Sequence, residues 1–252
     1  ATHSHSAPNT NSKNPAMAEY EKIFVEGCME AVRAAMADRA KATMYQGSVQ
    51  TEHMTFVRHY EMNDGSVCGP NFGSAASGFK GHIGRNDPEM ILVKLEREGE
   101  DKKPILMMNF QAHPCLTGGV DKTVVSADYI GELRKYVETM TGAKFAFFQG
   151  AAGNHNWRSH EPSECRTQDI MEYSKLLGDY ALVALQRMQQ IPGTKVKAIR
   201  RDLDVELDHS DDYRYEAALE IARYWRETND RLGCLEMGKA HDIHSPYHAN
   251  AI

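Results

Sequence analysis

The chain is 252 residues long and weighs 28.3 kDa, room for one large domain or two small ones. Its 41% hydrophobic and 25% charged residues exclude a disordered or fibrous chain, and no apolar run approaches the ~20 residues that cross a bilayer. Lys and Arg number 29 against 35 Asp and Glu, giving a net charge of −6 and a pI near 6.1, with no basic stripe of the kind that binds nucleic acid.

Residues 1–14 are small and polar and read as a loop carrying His3 and His5. Asn14-Pro15 has the N-cap and first-turn pattern of a helix start, and Met17, Tyr20, Phe24, Cys28 and Ala31 recur at helical spacing to about Ala40. Residues 43–50 and 54–60 predict strands. Residues 62–87, rich in Gly, Ser, Asn and Asp, predict a long surface loop. Residues 90–96 and 105–111 predict two strands around a charged turn; the second is nearly all apolar, as a central strand covered on both faces would be. A helix is expected from Ser126-Ala127-Asp128 to about Met140, closing at Gly142, then a short buried strand over 145–148 and a helix over 169–189. Residues 196–207 predict a strand and 211–232 a charged helix. This is an α/β pattern of mixed β-sheet layers flanked by helices, and a single domain over 1–252 is expected.

Cys28, Cys68, Cys115, Cys165 and Cys234 are scattered without a C-x-x-C, so neither a zinc knuckle nor a disulfide framework is indicated. The 12 histidines point instead to metal or acid/base chemistry. His3 and His5 form an H-x-H pair, and in an extended segment residues two apart point to one side, which suits a metal or a ligand beside a proton-transfer group; a solvated loop is the plainer explanation. His113 follows a buried strand, the place where α/β proteins bind ligands, and Pro114 stops that strand. The small-residue turn Gly150-Ala151-Ala152-Gly153-Asn154-His155-Asn156 lets a substrate approach the backbone, though tight turns are common. Arg58 is either a substrate carbonyl or carboxylate binder or a strand-edge charge. Capping accounts for Asp128. His241, His244 and His248 have helical spacing, but Pro246 interrupts the helix that would align them.

Taken in order, T-H-S-H-S-A-P from Thr2 to Pro8, Asn109-Phe110-Gln111-Ala112-His113-Pro114, Ser126-Ala127-Asp128 and the Gly150 to Asn156 turn resemble the N-terminal catalytic domain of neutral/alkaline ceramidases, most closely its short bacterial branch. The resemblance covers most of residues 1–190, with Arg58 matching an arginine of the family's early strand. It implies a zinc amidohydrolase acting on ceramide (N-acylsphingosine) or another N-acyl amide, and a secreted or periplasmic location. It also implies His3 and His113 as metal ligands, His5 beside the reacting carbonyl, and Arg58 and Asn154 orienting the substrate along with Gly153, His155 and Asn156.

Two departures stand out. The family's Gly-Asp-x-Ser-Pro-Asn segment reads Gly153-Asn154-His155-Asn156-Trp157 here, so a serine nucleophile is missing and a metal-water mechanism is expected. The family's Glu and Tyr ligands would lie downstream of Ile252 and its first β-rich segment upstream of Ala1. The expectation is an internal piece that holds zinc weakly and is inactive alone. The alternatives are a degenerate paralogue that binds a lipid or other ligand, and a metal hydrolase of a soluble amide or ester. The long loop at 62–87 has only Phe72 and Phe79 as large apolar residues, which gives no lipid signal.

Overall fold

The computed structural model describes residues 2–8, 16–69, 77–117, 124–159, 164–167, 169–193, 197–204, 206, 212–243 and 249. They divide into two compact units, Ala1–Thr194 and Lys195–Ile252. The first unit contains, in order, α1 (Ala16–Ala37), β1 (Ala42–Gln50), β2 (Phe56–Val57), β3 (Tyr60–Met62), β4 (Val67–Cys68), β5 (Phe79–His82), β6 (Glu89–Arg97), β7 (Ile105–Phe110), α2 (Asp128–Thr141), β8 (Lys144–Gln149), β9 (His155–Asn156), α3 (Ile170–Gln186) and β10 (Gln189–Gln190). The fold is α/β, with a five-stranded mixed sheet in the order β10-β1-β6-β7-β8.

Neighbours in that sheet are antiparallel except β7 and β8, which are parallel and joined through α2. Alternation decides which face of β7 is covered: Leu106, Met108 and Phe110 are buried, while Ile105, Met107 and Asn109 are half-buried. The buried face packs with Leu133 and Val137 of α2 and with Tyr173, Leu177 and Ala181 of α3. The sheet is therefore covered fully on one face, not on both as the apolar run predicts.

Local chemistry sets the helix ends. Gly142 closes α2 at φ 68, its N–H bonding Glu138 O, a conformation that glycine adopts freely. Asp169 caps α3 by accepting from Glu172 N at 2.8 Å. Gly47 of β1 lies under α3, where an added Cβ would sit 2.5 Å from the Ala184 carbonyl oxygen.

Several expectations are corrected. The strand predicted over 54–60 is two strands, interrupted at Arg58 and His59. The predicted loop at 62–87 contains β4 and β5, which pair with β3 in a small sheet of order β4-β3-β5. In α1 the apolar stripe faces outward: residues 21–37 are exposed, Phe24 among them. Helical periodicity fixed the helix but not a partner for it.

In the second unit, α4 (Tyr215–Thr228) and α5 (Arg231–Gly238) replace the single helix predicted over 211–232. Asn229 adopts φ 53 and Asp230 caps α5, which breaks the helix in two. Ala218, Ile221, Cys234, Ile243 and Ala249 form its core. The strand predicted over 196–207 is absent from its described residues, and Ile199 and Leu203 are exposed. Alternation without a pairing neighbour does not make a strand.

Candidate metal centre

Because β7 and β8 run parallel, both deliver their C-terminal ends to one edge of the sheet, the usual place for a ligand in such a unit. His113 follows β7 and the Gly150 to Asn156 turn follows β8. Gly150 brings the two segments close, donating to Phe110 O at 2.9 Å. The His113 N–H donates to His155 O at 3.2 Å, and His113 bridges Asn156. The His113 side chain is buried, with Nδ1 3.0 Å from Ala152 O. A carbonyl only accepts, so Nδ1 carries the proton and Nε2 is left with a lone pair.

The N-terminal segment lies across this edge. His5 N donates to Pro114 O at 3.3 Å, Ser126 N to Ser6 O at 2.8 Å, and Ser4 Oγ to Ser126 O at 2.9 Å. The segment is not the extended strand that the H-x-H spacing suggests. Residues 5–7 bend and His3 has φ 57, a left-handed conformation uncommon for a residue with a side chain. The three imidazoles meet. His113 Nε2 and His5 Nε2 are 2.7 Å apart, and the ring centroids are separated by 5.3 Å for His3–His5, 5.1 Å for His3–His113 and 4.7 Å for His5–His113.

Burial lowers the pKa of His113, opposed by the Ala152 bond and reinforced by the Arg58 charge and the other two histidines. Burial also lowers that of His5, with His3 and Arg58 adding to the effect and Asp128 opposing it. Both rings are thus biased towards the neutral form that binds a metal. Arg58 grips the turn from the side. Its Nε and one Nη donate to Gly153 O at 3.0 and 2.6 Å, and its backbone N–H donates to Asn154 O at 2.8 Å.

The structure therefore brings together His3, His5, His113, Arg58, Gly153 and Asn154, with Gly153 and Asn154 exposed. His155 and Asn156 are buried in the scaffold. His155 Nε2 accepts from Asp87 N at 3.3 Å, and Asn156 Oδ1 accepts from Trp157 N at 3.0 Å and from the Cys115 thiol at 3.5 Å. They support the turn rather than face a ligand. His241 is exposed in a short 3-10 turn, while His244 and His248 lie outside the described residues.

Sequence reasoning passed over the groups holding the segment: Ser6, Thr117 and the side chain of Asp128. The alternation of serine with histidine from His3 to Ser6 was the available signal.

The donor set fits a divalent metal such as zinc. One nitrogen from each of the three imidazoles lies within 4.8 Å of the others, and this is the cluster of that kind found among the described residues. Three histidines are a known zinc donor set, and the Ala152 carbonyl behind His113 is the outer contact that fixes a ligating tautomer.

No protein family and no curated protein matches the chain. Among the solved structures similar to it are two ceramidases. One is the neutral ceramidase from Pseudomonas aeruginosa, 16% identical, covering 65% of this chain and 25% of that one with a TM-score of 0.43. The other is a ceramidase complexed with C2, 14% identical, covering 58% of this chain and 22% of that one with a TM-score of 0.38. The chain thus spans about a quarter of the length of the ceramidase chains it is similar to.

Proposed function

We propose that this chain carries the centre of a zinc-dependent hydrolase of N-acyl amides, of the ceramide amidohydrolase kind that its motifs resemble, acting outside the cytoplasm. The observation that carries the reading is the convergence of His3, His5 and His113, with His113 held in one tautomer by Ala152 O. Zinc, when bound, polarises a carbonyl and lowers the pKa of water towards ~7, the two things amide cleavage needs. His3 and His113 would hold the ion, and the approach of His5 to His113 offers a third imidazole beside the two that the resemblance assigns. His3 and His5 are both exposed while His113 is buried. Of the two, His5 is the one the resemblance puts beside the reacting carbonyl, where, when not ligating, it would exchange a proton with the leaving amine. Arg58 fixes the Gly153 carbonyl, and the exposed Asn154 amide beside it orients the acyl group.

A serine nucleophile has no place here: the position is Asn156, buried and bonded to Trp157 N. That same replacement favours a second reading, a paralogue that binds an acyl ligand without turning it over. Metal analysis of the protein, with turnover of ceramides and short soluble N-acyl amides, separates the two. Zinc with amide turnover supports the hydrolase, and zinc without turnover of any amide supports the binder. Full metal and activity in both His3→Ala and His113→Ala refute the site. Turnover of only the soluble amides removes ceramide as the substrate.

A further inference from the structure

Asp128 is the first residue of α2, and it is 1% exposed. The plain explanation, a helix cap, accounts for only part of its contacts. Oδ1 accepts from Tyr129 N at 2.8 Å, but Oδ2 accepts twice from Thr117, from N at 2.9 Å and from Oγ1 at 2.8 Å. Its backbone is left-handed, φ 58, a strained conformation for a residue with a side chain. No Lys or Arg forms an ion pair with it among the described residues.

The hydrogen bonds continue towards the histidines with a fixed direction. Thr117 gives its hydroxyl proton to Asp128, so across the 2.7 Å contact Ser6 Oγ must donate to Thr117 Oγ1. Ser6 follows His5, and its carbonyl takes the Ser126 N–H. Ser4 precedes His5, and its hydroxyl donates to the Ser126 carbonyl. The Ser126 hydroxyl in turn accepts from Asp128 N at 3.0 Å. Both neighbours of His5 are therefore tied to the residues that open α2.

A buried carboxylate is unfavourable unless hydrogen bonds or an opposite charge stabilise it. Asp128 has three donated hydrogen bonds and the N-terminus of α2 but no ion pair, so a nearby cation would add to its stabilisation. Along this relay, the cation available is the one the three imidazoles are arranged to hold. We propose that Asp128 is a positioning residue of the metal centre, which anchors the His3–His5 segment through Thr117 and Ser6 and supplies the buried negative charge that balances a bound divalent cation. This rests on the metal reading above.

The test uses the whole chain with Asp128→Asn, which keeps the shape but removes the charge and one accepting oxygen, and Ser6→Ala, which cuts the far end of the relay. Zinc titration reads affinity, melting of metal-free protein reads the fold, and hydrogen exchange at the Ser126 amide of metal-free protein reads the anchor. Asp128→Asn should weaken zinc by roughly tenfold, the lower end of what losing an outer contact costs, since Asp128 acts through Thr117 and Ser6. It should also lower metal-free Tm somewhat, because its amide NH2 meets a donor that the carboxylate accepted. Ser6→Ala should weaken zinc several-fold and speed Ser126 exchange. Unchanged zinc affinity in both variants overturns the proposal. So does a large fall in metal-free Tm in Asp128→Asn with normal zinc binding in Ser6→Ala, the outcome of a purely structural role. If Asp128→Asn does not fold, Ser6→Ala decides. If the parent protein binds no zinc, the metal reading and the counter-charge role fail together, and the anchor is judged on exchange alone: faster Ser126 exchange in the variants sustains it, and unchanged exchange overturns it.

Discussion

Nε2 of His113 and Nε2 of His5 face each other at 2.7 Å. Because Nδ1 of His113 is committed to Ala152 O, its Nε2 is a lone pair, and without a metal His5 must supply the proton between them. Only one proton fits in that contact. A second would set two N–H groups against each other and make His113 a cation beside Arg58.

This makes the metal-free protein sensitive to mild acid. Burial above all holds His113 below its ordinary pKa, and His5 is held below for the same main reason. An unfolded histidine takes up its proton near ~6.5, so below that pH the unfolded chain binds more protons than the folded one. The contribution is neutral above that value, grows destabilising as pH falls from it towards the lowered folded values, and levels off below them. Metal-free Tm should drop between about pH 7 and pH 5.5, and the drop should be smaller in His113→Gln, with a residue due to His155, which burial also lowers. Equal slopes in the two proteins would remove the pair as the cause.

Counting three imidazoles instead of two has a direct consequence. His5→Ala should raise the zinc dissociation constant by more than about 100-fold, beyond the ~10–100-fold that loss of an outer contact typically costs. Cobalt substitution would report the same change as an altered visible spectrum. Unchanged affinity and spectrum in His5→Ala would return His5 to a purely proton-transferring role.

Gly47 offers a test of the sheet–helix interface remote from the site. A methyl group there meets a backbone carbonyl, Ala184 O, which cannot swing aside without moving α3. Gly47→Ala should destabilise by about 1–3 kcal/mol despite removing a glycine from a strand. The readout is a lower urea midpoint with an unchanged m-value.

Asp38, just after α1, accepts from Lys102, Lys144 and Arg97 at 2.7, 2.6 and 2.8 Å. Lys102 first, then Lys144 and Arg97, hold its carboxyl well below the usual carboxylate range. A depressed folded pKa gives stability that is complete above the unfolded value near ~3.9 and lost as pH falls below it. Asp38→Asn should therefore lower Tm at pH 7 and flatten the decline below about pH 4. Parallel Tm–pH curves for the two proteins would show that the network does not contribute.

The sheet and its covering helices were legible because their signals are long. Five of the six residues of β7 are apolar, and Gly142 and Asp169 stand where α2 must end and α3 must begin. The pairs β2–β9 and β3–β4 were not legible, since two-residue pairings are too short to show a period. At the site, His3, His5 and His113 could be named from motifs, but their approach depends on the left-handed turn at His3, which no spacing rule contains. Asn156 was placed among the substrate groups by the family resemblance. Its pairing with Phe56 turns it inward instead.

The strap that holds His5 joins Ser4 to Ser126 across 122 positions. On a ribosome adding ~5–20 residues per second, the N-terminal histidines emerge roughly 6–24 s before their anchoring residues are made. During that interval an H-x-H segment is free to meet metal ions before His113 exists to share them. Closing so long a loop is also among the slower and later events of folding. Metal capture by all three histidines would then mark the completion of the first unit rather than its nucleation, and metal supplied after synthesis should be retained more faithfully than metal supplied during it.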